Sequence, residues 1–123
     1  MEKRKITFSP PDITEREIAE VVDTLRSGWI TTGPKTKKFE NEIAEYCGTK
    51  KAVALNSATA AMELALRLFD IGEGDEVIKS AYTYTASASV VYHCGAKIIL
   101  ADTKKGEFNI DPKEIEKLIT PRT

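Results

Sequence analysis

The stretch Asn56-Ser57-Ala58-Thr59-Ala60-Ala61 is the part of the chain best suited to chemistry, because it joins a short apolar run, Ala52-Val53-Ala54-Leu55, to the start of a helical pattern. If that run is a buried strand of a parallel sheet, the junction lies at the strand's carboxyl end, where α/β proteins collect ligands. The N–H groups of a helix's first turn and the positive end of its dipole attract an anion, and Ser57 and Thr59 add hydroxyl donors. Residues 57–60 therefore read as a phosphate cup built with hydroxyls in place of glycines. Serine and threonine are favoured at helix N-caps without any ligand, so simple capping is the competing reading. A second stretch, Ser80-Ala81-Tyr82-Thr83-Tyr84-Thr85-Ala86, follows the next predicted strand and is expected to open onto the same sheet edge. Its tyrosines offer an aromatic face to a planar ligand, and a ring carrying a phosphate would touch both loops. The competing reading is that both rings only cover the end of the sheet.

Other reactive side chains carry less. His93, the single histidine, falls late in a helical pattern beside Cys94, where packing or pairing with the helix dipole is expected. Asp102 follows a predicted strand and suits a turn or cap. Lys79, Lys50-Lys51 and the charges from Lys113 to Lys117 read as solvated. Cys47 and Cys94 are far apart, without the spacing of a zinc site, and read as buried thiols in a reducing compartment.

The elements that must position these loops follow from periodicity. Asp12 with Glu15 resembles a capping box, and Ile13, Ile18, Val21, Val22 and Leu25 then recur at helical spacing until Ser27-Gly28. The segment Gly28-Trp29-Ile30-Thr31-Thr32-Gly33 is a shaped loop, and Pro34 opens a second helix running to Gly48. Beyond it the pattern predicts a strand at 52–55, a helix from Thr59 to Phe69, a strand at 76–78, a helix from about Thr85 to Cys94, a strand at 98–101, and a helix from Lys113 to Ile119 opened by Pro112. Strands alternating with helices predict an α/β fold with a parallel sheet and right-handed crossovers. Three strands make a narrow sheet with exposed edges, so the 123 residues are expected to be a piece of a longer protein.

Composition narrows the function classes. Of the 123 residues, 41% are hydrophobic and 30% charged, an ordinary balance for one domain with a modest core. Lys and Arg total 18 against 19 Asp and Glu, so there is no broad positive field to recruit nucleic acid or anionic lipid. No apolar run approaches the ~20 residues that span a bilayer, and the N-terminus lacks the apolar core of a secretory signal, which makes the cytoplasm the expected compartment.

Five blocks together, Ser27-Gly28-Trp29-Ile30-Thr31-Thr32-Gly33-Pro34, Asn56-Ser57-Ala58-Thr59-Ala60-Ala61, Gly72-Glu73-Gly74-Asp75-Glu76-Val77-Ile78, Tyr82-Thr83-Tyr84-Thr85-Ala86 and Ile119-Thr120-Pro121-Arg122-Thr123, resemble the DegT/DnrJ/StrS sugar aminotransferases in the family's own order. The resemblance implies the N-terminal part of a pyridoxal 5'-phosphate (PLP) enzyme of fold-type I, in which N-terminal helices precede a βαβαβα unit of an aspartate-aminotransferase-like large domain. Residues 1–50 would then be the arm, helices and substrate-side loop, and 51–123 the first part of the PLP-binding domain. It implies that Ser57, Ala58, Thr59 and Ala60 hold the cofactor phosphate, that Tyr84 stacks on the pyridine ring, and that Trp29, Thr31, Thr32 and Gly33 lie on the sugar-nucleotide side of an active site often shared across a homodimer. The implied reaction moves an amino group, usually from glutamate, onto a nucleotide-linked keto sugar. The lysine that binds the cofactor and the carboxylate that pairs with its ring nitrogen have no counterpart in the 123 residues, so no catalytic residue is assigned and the chain alone is expected to be inactive. Two positions depart from the pattern: Ala58 stands where glycine is common, and Ser80 where proline is usual, which predicts a less rigid aromatic loop. Competing readings are a sugar dehydratase of the same family, a non-catalytic module binding a nucleotide or phosphosugar, and a structural relic with no ligand.

Overall fold

Two helices, α1 (Glu15–Ser27) and α2 (Pro34–Cys47), open the computed structural model, which describes Ile6 and residues 8–123. The capping box is present but two residues later than expected: Thr14, not Asp12, is the N-cap of α1, its hydroxyl accepting from the Arg16 N–H while the Glu17 carboxylate accepts from the Thr14 N–H. The Thr14 hydroxyl also donates to the Glu17 carboxylate, and this bond, followed by that from the Thr14 N–H, holds the Glu17 carboxyl below its ordinary range. Gly28, in the left-handed conformation at φ 72°, ends α1. The apolar residues Ile18, Val21, Val22 and Leu25 recur along α1 as predicted, yet none of the helix is buried. Pro34 sits in the first turn of α2, where its missing N–H costs nothing, and Gly48 ends the helix.

The run Ala52-Val53-Ala54-Leu55 does not form the predicted strand. A strand is a pairing as well as a conformation, and among the described residues no neighbour offers it a ladder. The Ala54 N–H goes instead to Glu40 Oε1 at 2.9 Å, and Val53 is 73% exposed. The first compact unit of the chain ends here, at Ala54, and the second runs from Leu55 to Thr123.

The second unit contains α3 (Ala58–Leu68), β1 (Glu76–Ser80), α4 (Ala86–His93), β2 (Lys97–Ala101) and α5 (Pro112–Leu118). The sheet therefore has two strands and not three, with β1 and β2 parallel in a register from Glu76 beside Lys97 to Ser80 beside Ala101. Helix α4 is the crossover that parallel pairing requires. Its Val90 and Val91 are 2% and 1% exposed and form the core with Ala96, against which Leu66 of α3, Ile71, Val77 of β1 and Ile98 of β2 pack. The structure thus keeps the α/β, parallel-sheet character read from the sequence while leaving its first strand unformed. Asp111 caps α5 by accepting from the Lys113 N–H at 2.9 Å, with Pro112 in the first turn as expected.

Glu76, at the start of β1, ties the chain's last residues to the sheet. Its side chain is 5% exposed and accepts from Thr120 Oγ1 at 2.7 Å, Lys97 Nζ at 2.9 Å and Arg122 Nη2 at 3.2 Å, while its N–H donates to the Arg122 carbonyl at 2.8 Å. A buried carboxylate is tolerated only when its lone pairs are met in this way. The Thr120 hydroxyl, followed by Lys97 and Arg122, holds the Glu76 carboxyl below its usual value. Cysteine placement differs from expectation: Cys47 is exposed and Cys94 half-buried.

Candidate active site

Residues 57–60 form the first turn of α3. Ser57 is the N-cap, in extended conformation, and its Oγ accepts from the Ala60 N–H at 3.1 Å, while its carbonyl accepts from Ala61 at 3.2 Å. The capping reading of Ser57 is therefore correct, and it leaves a specific remainder. Among the described residues the N–H groups of Ala58 and Thr59 meet no protein acceptor, and neither does the Thr59 hydroxyl. No acidic side chain stands in this turn. Two backbone donors, one hydroxyl and the positive end of an 11-residue helix are a donor set for a phosphate, so the residues present fit a phosphorylated cofactor.

Tyr84 lies in the loop after β1. Its carbonyl accepts from the Ser87 N–H at 3.2 Å and the Ser87 hydroxyl at 2.9 Å, which fixes its backbone to the start of α4, while the residue as a whole is 82% exposed. Tyr82, by contrast, is engaged, its ring stacked on Phe108 with centroids 5.2 Å apart. Both tyrosines are exposed, at 65% and 82%, and they differ in that Tyr82 has a stacked ring partner. Ser80, expected to loosen this loop where proline is usual, accepts from the Tyr82 N–H at 3.2 Å and donates to its carbonyl at 3.3 Å, closing a tight turn by hydrogen bonds. A cavity of about 410 Å3 is lined by Ala81, Tyr82, Thr83 and Tyr84, and it does not take in residues 57–60.

The loop from Trp29 to Gly33 belongs to the first unit. Trp29 donates its indole N–H to the Thr32 carbonyl at 3.1 Å and its backbone N–H to Ser27 Oγ at 3.1 Å. Trp29, Thr31 and Gly33 line a cavity of about 610 Å3 together with Asp23 and Lys35, while Thr32 contributes its carbonyl to Trp29. Lys35 donates to Asp23 Oδ2 at 2.8 Å, and to the carboxylate and carbonyl of Glu20 at 2.6 and 3.0 Å. The hydrogen bond to Asp23 raises the ammonium's pKa most, and the same bond lowers that of the Asp23 carboxyl. Lys35 and Asp23 were not singled out by sequence. The signal was there, in two acids three apart on one helix and a lysine after the proline that opens the next.

The chain matches the model of the DegT/DnrJ/EryC1/StrS aminotransferase family over residues 11–123. It belongs to that family. It is 48% identical over 118 residues to the spore coat polysaccharide biosynthesis protein SpsC of Bacillus subtilis, covering 96% of this chain and 30% of SpsC. It is 44% identical over 113 residues to the UDP-4-amino-4-deoxy-L-arabinose–oxoglutarate aminotransferase of Shewanella sediminis, covering 92% of this chain and 29% of that protein. Among solved structures, Spr1654 of Streptococcus pneumoniae in its PLP form superposes with a TM-score of 0.90 at 57% identity, covering 97% of this chain and 30% of the other. The aminotransferase from Psychrobacter cryohalolentis gives 0.85 at 38% identity, over 95% and 30% of the two chains. The chain thus spans about 30% of the length of these DegT/DnrJ/EryC1/StrS relatives, and shares with them a partial fold-type I domain.

His93 ends α4, and its Nδ1 lies 3.0 Å from Glu63 Oε2, while Glu63 Oε1 accepts from Arg67 Nη2 at 2.8 Å. This joins α3 to α4, and the Arg67 bond is the main reason the Glu63 carboxyl titrates below its ordinary value. Asp102, expected in a turn or cap, instead links β2 to the bridge between Thr103 and Ile110: its carboxylate accepts from the Thr103 N–H at 2.8 Å and its carbonyl from the Asp111 N–H at 3.0 Å. Lys79, read as solvated, is half-buried within β1. Among the described residues no helix is long and apolar enough to cross a membrane.

Proposed function

We propose that these residues are the cofactor-phosphate and ring-face part of a PLP-dependent enzyme that moves an amino group from an amino acid, glutamate being the expected donor, to a nucleotide-linked keto sugar. The observation that carries this reading is the first turn of α3, where the Ala58 and Thr59 N–H groups and the Thr59 hydroxyl meet no protein acceptor. Family membership supplies the reaction class.

In this reading the Ala58 and Thr59 donors and the Thr59 hydroxyl hold the phosphate, while Ser57 keeps the turn open by taking up the Ala60 N–H. Tyr84 covers one face of the pyridine ring, its backbone held by Ser87. Bound PLP supplies the electron sink for the transfer. Trp29, Thr31, Thr32 and Gly33 form the sugar-nucleotide loop, completed across a homodimer, and the cytoplasm is the expected compartment. The 123 residues alone are expected to be inactive, since the cofactor-binding lysine has no counterpart among them. Mixing the full-length protein with PLP and an amino donor tests this function: conversion of a nucleotide-linked keto sugar to an amino sugar supports it. Loss of a sugar hydroxyl without gain of nitrogen would identify the dehydratase instead.

A further inference from the structure

Gly33 is extended, with φ −165° and ψ −150°, a φ open to any residue, so the backbone does not explain the glycine. Space does. A Cβ at this position would fall 2.2 Å from Trp29 Nε1, 2.4 Å from Cδ1 and 2.9 Å from Cε2. The pyrrole edge of the indole occupies the space a side chain would need, and its N–H donates to the Thr32 carbonyl at 3.1 Å. Gly33 is also the N-cap of α2 without a side-chain bond, a place where serine, threonine or aspartate would ordinarily stabilise the helix. Cap strength is given up for room.

The indole that fills this room is part of the wall of the 610 Å3 cavity lined by Asp23, Thr31 and Lys35. Trp29 is 58% exposed, so packing alone does not fix its rotamer. The glycine and the Thr32 carbonyl do.

We propose that Gly33 is a positioning residue of the substrate-side loop: it sets the orientation of Trp29, and through it the shape of the adjoining cavity, without itself touching substrate. This rests on the reading of that loop as the sugar-nucleotide site, and it changes Gly33 from a contact into the seat of another residue's side chain. An added methyl forces the indole off the Thr32 carbonyl because the ring atoms closest to it belong to a rigid plane.

The test is Gly33→Ala in the full-length protein labelled with 5-fluorotryptophan, the Trp29 resonance being assigned by its loss in Trp29→Phe. The expected spectrum shows that resonance moved and narrowed toward a freely rotating indole, with KM for the sugar nucleotide raised on the order of tenfold, the equivalent of about 1.4 kcal/mol, and kcat unchanged. In a Trp29→Ala background the same Gly33→Ala substitution should change KM less than twofold, because nothing then occupies the space. An unmoved Trp29 resonance in Gly33→Ala overturns the proposal, as does an equal KM effect in both backgrounds. A moved resonance with unchanged KM retains the Gly33–Trp29 seat but refutes the loop as a substrate site, which separates the two failures. Should Gly33→Ala fail to fold, Gly33→Ala with Trp29→Ala must fold, or a role beyond seating the indole is shown and the proposal falls.

Discussion

Replacing Thr59 by valine tests the two roles proposed for one helix turn. The side chains are nearly the same size, their helix propensities are close, and the Thr59 hydroxyl meets no protein partner among the described residues, so folding stability should barely change. In the proposed site what is lost is a donor to the phosphate. A hydrogen bond to a charged group is worth about 1.5–3 kcal/mol, so PLP affinity should fall by roughly ten- to a hundred-fold. Ser57→Ala should do the reverse. It removes the acceptor of the Ala60 N–H, which costs about 1 kcal/mol of stability, but it leaves the Ala58 and Thr59 donors and frees a third. Equilibrium dialysis of PLP and urea melts of the full-length wild type and both variants give the comparison. If Thr59→Val binds PLP within twofold of wild type, or if Ser57→Ala loses more affinity than stability, the division of labour between cap and cup is wrong.

Tyr84→Phe should retain PLP affinity within about twofold because the ring face is what is used, whereas Tyr84→Ala should lose roughly fivefold, the equivalent of about 1 kcal/mol of stacking, in the same dialysis assay. Val91→Ala removes two carbons from a fully buried position between α4 and its neighbours and should cost about 2–3 kcal/mol, read by urea denaturation; a cost under about 1 kcal/mol would deny that this cluster is the core. The Glu76 carboxyl is held below its ordinary value of 4.5, so its contribution to stability is present above that value and is lost as pH falls through the lower, folded-state one. Glu76→Gln should therefore be less stable than wild type at neutral pH, with the difference shrinking in melts taken below about pH 4.5; a difference independent of pH would show that the hydrogen bonds, and not the charge, anchor Thr120 and Arg122.

Local signals were legible where one segment decided its own conformation. Pro34 and Gly48 bound α2, Asp111-Pro112 starts α5, and the apolar runs at β1 and β2 are strands paired through α4, all as the residues indicate. At the first helix the capping box read at Asp12 with Glu15 stands instead at Thr14 with Glu17, a choice that the backbone makes and residue type does not. The run 52–55 has the composition of a strand but, among the described residues, no ladder partner, and composition does not report pairing. Glu76 was invisible because its partners stand 21, 44 and 46 residues away. At the candidate site, the place of residues 57–60 at the start of a helix was readable from type and position, but which hydroxyl caps and which meets no protein partner was not. The distinction between Tyr82 and Tyr84 depended on Phe108, a loop residue without a sequence signal of its own.

The most direct measurement is a single-turnover half-reaction: full-length protein loaded with pyridoxamine phosphate, mixed with nucleotide-linked keto sugars, and analysed by mass spectrometry. The expected result is one amino group gained by the sugar and one equivalent of PLP formed per site. A sugar that leaves with its oxygen lost and no nitrogen gained, or a protein that does not retain the cofactor, would contradict it.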